Sequence, residues 1–220
     1  MHGAAELQAA REQLVEYSQC LADDGLAVGA AGNMSVRIGE QVAITPSGIS
    51  YGDLIAADIC LVSLSGAELD APETPSTELP MHLAVYAAVP AANAVVHTHS
   101  AEVIALSATC DELPAIHYAI AGLGGPVRVV GYTRFGSAAL AAGAVRALDG
   151  RTAAILQNHG AICYGRTLAE AYDRALLLEW LARVYRLALA YGKPRILSDA
   201  ELAEVSAEAR RRRYGERRQR

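Results

Sequence analysis

The strongest constraint on the fold is the way in which short strand-like runs are connected. Residues 33–38 and 41–45 alternate in polarity and are separated only by Gly39-Glu40, which predicts an antiparallel hairpin. The apolar runs 127–130 and 153–157 are instead separated by a small-residue stretch, 137–148, with helical character. Hairpins and helical crossovers in one chain predict a layered α/β fold with a mixed sheet.

The remaining patterns complete this architecture. Apolar positions at helical spacing, short apolar runs and a capping box formed by Ser198 and Glu201 predict further elements. These are helices at 7–21 (ending near Gly25), 77–89, 167–191 and from Ser198 onward, and strands at 59–64 and 94–99. No repeat or linker divides the chain, so we expect one domain over residues 1–220 with a basic tail at 210–220.

Composition and charge exclude several classes of protein. Hydrophobic residues make up 52% and charged residues 20%, which is typical of a globular protein, and no run approaches the roughly 18 apolar residues of a membrane span. No signal segment opens the chain, so we expect a soluble cytoplasmic protein without a membrane partner. The net charge of -5 includes seven arginines and one glutamate at 210–220, and an acidic body of this kind does not predict nucleic-acid binding.

Histidines occupy positions suited to metal binding. His97 and His99 are two residues apart on a predicted strand, so both side chains project from one face. His159 follows another apolar run and precedes Gly160, and Glu78 opens a predicted helix. Three imidazoles and an exchangeable carboxylate suit a catalytic zinc ion that keeps one position for substrate. The sequence therefore predicts a Zn²⁺ site at Glu78, His97, His99 and His159.

The other histidines do not require a metal role. Glu78 and His82 are four residues apart, a spacing that a zinc-binding helix also shows. Because the three other histidines already suffice, we favour packing or support of the ligands for His82. His2 and His117 are interpreted as ordinary histidines.

Several short segments carry donors suited to a phosphate group. The segments 32–35, 47–48 and 76–77 offer backbone N–H groups and small polar side chains, and the last lies at a helix start, where the helix dipole favours an anion. We expect these loops to bind phosphate through Gly32, Asn33, Ser47, Gly48, Ser76 and Thr77. Lys193 is the only lysine and follows the long helix in a predicted loop, which disfavours Schiff-base chemistry and favours a metal as Lewis acid.

Taken in order, these segments resemble the class II aldolase family. The resemblance rests on Ala31–Ser35, Ile44–Gly48, Ser76–Glu78, Ala94–His99 and Asn158–Gly160, nearly the whole length of the chain. Residues 113–118, Gly124-Gly125 and Tyr214-Gly215 resemble the L-fuculose-1-phosphate aldolase branch in particular. The family's paired serine is Ser76-Thr77 here, and Glu78 stands where the epimerase branch has aspartate.

The resemblance implies a single αβα domain with a central mixed, largely antiparallel sheet. It also implies a homotetramer with fourfold cyclic symmetry and active sites between subunits, in which Tyr118 is the proton donor and Tyr214 an auxiliary residue of the adjacent subunit's site. The basic tail would then lie near the phosphate-binding cleft.

The activity implied is zinc-dependent retro-aldol cleavage of a ketose 1-phosphate. The best candidate is L-fuculose 1-phosphate, which gives dihydroxyacetone phosphate and L-lactaldehyde. Glu78, displaced from the metal by substrate, would be the general base. An epimerase or dehydratase acting on a pentulose phosphate is the nearest alternative, since the same ligands serve both. A non-catalytic binding domain, or an RNA-binding tail, are weaker alternatives.

Overall fold

A computed structural model describes residues 3–212 of the chain. Its helices and strands follow each other in the order α1 (Ala4–Asp23), β1 (Asn33–Ile38), β2 (Gln41–Ile44), β3 (Cys60–Ser63), β4 (Glu68–Asp70), α2 (Leu79–Ala88), β5 (Ala94–Thr98), α3 (Ala101–Ser107), β6 (Glu112–Leu113), β7 (Val127–Val130), α4 (Ala138–Ala147), β8 (Ala153–Leu156), β9 (Gly160–Gly165), α5 (Leu168–Tyr191) and α6 (Asp199–Arg211). Short 3₁₀ turns lie at Ala56–Asp58 and Tyr118–Leu123.

The strands form one nine-stranded sheet in the order β4-β3-β2-β1-β5-β9-β8-β7-β6. Seven of the neighbouring pairs are antiparallel, and only β7 and β8, joined by the crossover helix α4, are parallel. The prediction of a mixed, largely antiparallel sheet is therefore confirmed.

Helices cover both faces of this sheet. Side chains of α1, α3 and α5 pack on one face in a large apolar cluster, and side chains of α2 and α4 pack on the other in a smaller one. The consecutive residues Val95 and Val96 show the division, because each is fully buried and each belongs to a different cluster. A strand that is covered on both faces needs consecutive apolar residues, as Ala94–Val96 of β5 are.

Four elements were not predicted. The short strands β4 and β6 lie at the edges of the sheet, and α3 has only seven residues. Strand β9 was missed because its glycine-bounded run follows β8 after only three residues. The predicted hairpin strand at 33–38 is confirmed as β1, so the description of residues 32–35 as a loop is wrong from Asn33 onward, where Met34 and Ser35 are fully buried.

Six strands begin or end at one edge of the sheet, where edge means the side formed by strand ends and not an outermost strand. Because β1 and β9 run antiparallel to β5, both begin beside the end of β5, and β2 and β8 end at that same edge. Strand β7 is parallel to β8 and ends there too. Residues that follow or precede these strand ends are therefore neighbours in space.

Within residues 3–212, no helix has both the length and the apolar character that a bilayer span demands.

Candidate metal centre and active site

The strand register places three histidines together at this edge. His97 is the penultimate residue of β5 and lies opposite Asn33 of β1 and Ile162 of β9. His99 follows β5 by one residue, and its backbone N–H donates to Leu26 O. His159 lies in the three-residue turn between β8 and β9, where Asn158 has φ 54°, a left-handed conformation that asparagine adopts more readily than most residues.

Glycines allow the backbones to approach closely at this point. A Cβ atom at Gly160 would lie 1.9 Å from Thr98 O, and one at Gly32 would lie 2.8 Å from His97 O. Both distances are far below van der Waals contact, so neither position can hold a larger residue without movement of the backbone. The two glycines therefore let segments 31–33 and 158–160 reach the end of β5.

Glu78 reaches the histidines from the other layer. It precedes the first residue of α2, and its side chain is 7% exposed. Its Oε2 lies 2.8 Å from His97 Nε2, and its Oε1 lies 3.3 Å from His159 Nε2. One ligand atom from each of Glu78, His97, His99 and His159 lies within 4.8 Å of the others. The structure thus brings together all four residues that were predicted to bind the metal.

The nitrogen and oxygen atoms in this cluster are arranged so that they could bind a cation. His97 Nδ1 donates to the backbone carbonyl of Ala161 at 2.8 Å, which leaves a lone pair on Nε2. That lone pair faces His99 Nε2 at 2.9 Å as well as the carboxylate of Glu78. Glu78 Oε1 is buried and has no hydrogen-bond partner. The four ligand atoms lie close enough together to share one ion, and two or three imidazoles with a carboxylate are typical zinc ligands.

Burial and neighbouring charge set the protonation of the cluster. Burial, reinforced by His97 and His159, lowers the pKa of His99 to about 4, and burial with His97 also lowers the pKa of His159. Burial alone would raise the pKa of Glu78, but His97, His159 and the hydrogen bond from Asn33 hold it well below its usual range. At neutral pH, His99 and His159 are thus neutral and Glu78 is ionised, as metal ligands must be.

Beside the cluster is a pocket of about 320 Å³. Every residue that was predicted to bind phosphate lines it: Gly32, Asn33, Ser47, Gly48, Ser76 and Thr77. Two backbone hydrogen bonds, Ser47 N–H to Thr74 O and Ser76 N–H to Thr45 O, hold two of these loops side by side. The pocket therefore joins the metal cluster to a set of small polar donors.

Sequence reasoning missed one wall of this pocket. Tyr132, Thr133 and Phe135 line it from the loop that follows β7, and both aromatic side chains are exposed. At Gly136 this loop approaches Thr77 so closely that a Cβ atom would lie 2.9 Å from Thr77 O. The sequence feature that could have indicated this wall is the pair of aromatic residues between Gly131 and Gly136, directly after a strand. Asn158 also lines the pocket.

Of the two predicted tyrosines, only Tyr118 lies within the described residues. Tyr118 is 56% exposed on a 3₁₀ turn, where its ring stacks on His117, which itself contacts Trp180. It does not line the pocket of its own chain. Tyr214 lies outside the described residues, as does most of the basic tail.

His82 lies outside the ligand cluster. Its ring is completely buried, and its two nitrogens contact Ser35 Oγ at 2.7 Å and Asn33 Oδ1 at 2.6 Å. Burial, with a further contribution from His97, lowers its pKa to about 3, so it is neutral at physiological pH. The structure therefore agrees with packing or ligand support, and not with a metal-binding helix.

Comparison with known proteins gives a consistent result. The family model described as "Class II Aldolase and Adducin N-terminal domain" matches residues 12–186. A 5-deoxy-D-ribulose 1-phosphate aldolase of Bacillus thuringiensis serovar kurstaki is 35% identical over 91% of this chain and 95% of its own length. An L-fuculose phosphate aldolase of Escherichia coli strain K12 is 39% identical over 82% of this chain and 85% of its own.

The solved structures agree with the sequence relatives. A structure of L-fuculose 1-phosphate aldolase superimposes with a TM-score of 0.89 and 32% identity, and the match covers 92% of this chain and 96% of that chain. The resemblance inferred from the ordered segments is confirmed, and so is the expectation of a metal-dependent lyase. The chain belongs to the class II aldolase family.

Proposed function

We propose that the protein catalyses the reversible cleavage of a ketose 1-phosphate to dihydroxyacetone phosphate and a short aldehyde. The observation that carries this proposal is the pocket in which Glu78, His99 and His159 face the small polar donors of three loops. A group that stabilises carbanion character and a group that anchors phosphate are the two requirements of this reaction. Residues suited to each of these roles line one cavity, which supports the proposal.

The residues that would hold the metal are His97, His99 and His159, together with Glu78 in the resting state. We propose Zn²⁺, because nitrogen-rich sites with one carboxylate suit this ion. When bound, the ion supplies a Lewis acid that stabilises the negative charge developing on substrate oxygens as the carbon–carbon bond changes.

Glu78 is the proposed general base. In the direction of condensation, it takes a proton from the hydroxymethyl carbon of dihydroxyacetone phosphate, and that carbon forms the new bond to the aldehyde carbon. While Glu78 contacts the histidines its pKa is low, which makes it a weak base. A carboxylate that turns away from His97 and His159 keeps its burial but loses its contacts with them, and its pKa rises. The carboxylate of Glu78 is thus a stronger base after it has turned away from the histidines than while it contacts them.

The remaining roles belong to the loops and to a neighbouring subunit. Backbone and hydroxyl groups of Ser47, Gly48, Ser76 and Thr77, with Gly32 and Asn33, would anchor the phosphate and so fix the position of the reacting carbons. We further propose a cytoplasmic homotetramer in which Tyr118 and Tyr214 enter the adjacent site. There Tyr118 would protonate the aldehyde oxygen during condensation. Exposure of Tyr118 in the single chain supports this assignment.

L-Fuculose 1-phosphate is the first candidate substrate, with L-lactaldehyde as the aldehyde product. The deoxyribulose-phosphate relative makes 5-deoxyribulose 1-phosphate the second candidate. Both are ketose 1-phosphates that end in a methyl group, and cleavage of either between C3 and C4 releases dihydroxyacetone phosphate. Tyr132 and Phe135 on the outer wall of the pocket offer apolar surface for such a methyl end.

A substrate panel tests the proposal. Purified, metal-analysed protein is incubated with both ketose 1-phosphates and with L-ribulose 5-phosphate, and cleavage, epimerisation and dehydration products are measured. We expect release of dihydroxyacetone phosphate from a ketose 1-phosphate, and its loss after chelation and recovery with Zn²⁺. A metal-loaded protein that epimerises or dehydrates the pentulose phosphate, and cleaves neither ketose 1-phosphate, would contradict the proposal.

A further inference from the structure

Behind Glu78, a line of polar side chains runs into the interface between β1 and α2. Asn33 Nδ2 donates to Glu78 Oε2 at 3.1 Å, and His82 Nε2 lies 2.6 Å from Asn33 Oδ1. Ser35 Oγ lies 2.7 Å from His82 Nδ1 and 2.7 Å from the hydroxyl of Tyr86. Five side chains therefore form one continuous hydrogen-bonded chain that ends at the proposed base.

All five side chains are buried. Ser35 and His82 are fully inaccessible, and Tyr86, Asn33 and Glu78 are between 2% and 5% exposed. A buried polar group that loses its partner costs about 1–3 kcal/mol, whereas apolar residues of the same shape would cost little. Stability alone therefore does not explain why an imidazole, two hydroxyl groups and an amide are placed in series here.

The direction of every hydrogen bond between these five side chains follows from the fact that Asn33 Oδ1 is an acceptor. Asn33 Oδ1 can only accept, so the proton of the neutral His82 ring must be on Nε2. His82 Nδ1 then has a lone pair and accepts from the Ser35 hydroxyl, and Ser35 in turn accepts from Tyr86. If the amide of Asn33 were turned over, its oxygen would face the carboxylate of Glu78, and the two would repel each other.

We propose that His82 is a positioning residue, which acts through Asn33 to fix the carboxylate of Glu78. Its Nε2–H holds the Asn33 amide in the orientation that donates to Glu78 Oε2, and Oε1, which has no hydrogen-bond partner, remains the oxygen that exchanges protons. Ser35 and Tyr86 fix the tautomer of His82 from behind. The inference rests on the proposed role of Glu78 as the base.

Substitutions at His82 separate positioning from packing. His82→Leu keeps an apolar side chain in the core but removes the donor, and we expect kcat to fall by about 10- to 100-fold with KM and zinc content little changed. His82→Gln can place an amide N–H near the position of the imidazole Nε2–H, so it should recover most of that loss. Equal kcat values for the two variants, or a change in KM alone, would overturn the proposal.

Tyr86→Phe gives a milder test that leaves the core filled. It removes only the hydroxyl that donates to Ser35, and we expect a several-fold lower kcat. Tyr172→Phe is the matched control, because this buried tyrosine donates to Asp24 Oδ2 at 2.6 Å and lies away from the pocket. The control should lose stability but keep the wild-type kcat. An equal effect of both variants on kcat would contradict a role of the hydrogen bonds between Tyr86, Ser35, His82 and Asn33 in catalysis.

The tautomer of His82 can be measured without any reference to activity. In ¹⁵N-histidine-labelled protein, with and without Zn²⁺, NMR should show His82 as the Nε2–H tautomer with a hydrogen-bonded Nδ1, identified by its loss in His82→Gln. Detection of the Nδ1–H tautomer would overturn the inference. If Glu78 is not the base, the Glu78→Gln variant stays active whichever tautomer His82 adopts. Failure of the proposed base and failure of the proposed role of His82 can therefore be distinguished.

Discussion

At the scale of single residues, the chemistry of the site depends on how Glu78 is held. Its two oxygens differ, since Oε2 accepts from Asn33 and contacts His97, whereas Oε1 is buried, lies 3.3 Å from His159 Nε2 and has no hydrogen-bond partner. The contacts with His97, His159 and Asn33 keep the carboxylate ionised, although its burial would favour the neutral form. A small movement therefore changes its proton affinity strongly.

Glu78→Gln tests the role of this carboxylate. The amide oxygen of glutamine can still accept from Asn33, but the side chain cannot take a proton. We expect zinc stoichiometry near that of the wild type and a loss of turnover of about 10²- to 10⁴-fold, the usual contribution of a general base. Zinc content and single-turnover rates are the measurements.

Glu73→Gln is the matched control, because Glu73 is an exposed residue of the preceding loop. It should change neither quantity. Normal turnover in Glu78→Gln would show that the base has been wrongly assigned.

At the scale of elements, the hairpin of β8 and β9 delivers His159 to the metal cluster. Leu156 pairs with Gly160, so only three residues turn the chain, and Asn158 takes the left-handed conformation that this turn needs. His159 therefore has little freedom to adjust. Its position depends on how closely Gly160 approaches the end of β5.

Gly160→Ala should remove that approach. Its Cβ atom would lie 1.9 Å from Thr98 O, and we expect a loss of at least about 3 kcal/mol in the free energy of unfolding, as for severe overpacking. Zinc affinity should fall as well, because His159 moves with the turn. Denaturant unfolding and zinc titration are the measurements.

Gly52→Ala serves as the control for this substitution. Gly52 is exposed, and no atom lies within 4 Å of the position of an added Cβ. It should leave both stability and zinc affinity unchanged. A Gly160→Ala protein that matches this control would mean that the turn can relax.

At the scale of the whole molecule, two helical layers enclose the sheet, and a titratable side chain of α2, His82, is buried where that helix packs on β1. His82 is fully buried and its pKa is lowered to about 3, mainly by burial. Below pH 6.5 the unfolded chain takes up a proton at this position and the folded chain does not. Acid therefore favours unfolding, and the contribution of His82 to stability is lost as the pH falls from about 6.5 towards 3.

The metal-free protein should show this dependence directly. Between pH 6 and 4.5 we expect His82 to contribute a decrease of about 1.4 kcal/mol per pH unit in the free energy of unfolding. Denaturant unfolding of the metal-free wild type and of metal-free His82→Gln measures the contribution, because the other titrating groups are common to both. Parallel pH profiles for the two proteins would be inconsistent with a buried neutral imidazole.

Sequence reasoning reached the main elements and the metal cluster because these depend on local patterns. His97 and His99 share a strand end, and His159 follows an apolar run, so their chemistry was visible without coordinates. The short edge strands β4 and β6 were not predictable in this way. They have three and two residues, and their pairing is set by the neighbouring strand and not by their own sequence.

A supporting role for His82 was expected, but the partners of the residues behind the ligands depend on tertiary contacts and could not be predicted from spacing. Glu78 and His82 have helical spacing, yet Glu78 precedes α2 and its side chain meets the histidines, whereas His82 turns to Asn33. Ser35 likewise belongs to a segment that resembled a phosphate loop, but the pairing of β1 with β5 buries it. Such partners become visible only when the register of the sheet is known.

The location of the four ligands also has a consequence for the order of folding. Glu78 precedes α2, His97 and His99 come from the end of β5, and His159 comes from a turn that exists only when β8 and β9 pair. A nascent chain that has formed β1 to β5 offers an incomplete coordination sphere. We therefore expect high-affinity uptake of the metal to be a late event, whose rate reports on closure of the last central hairpin.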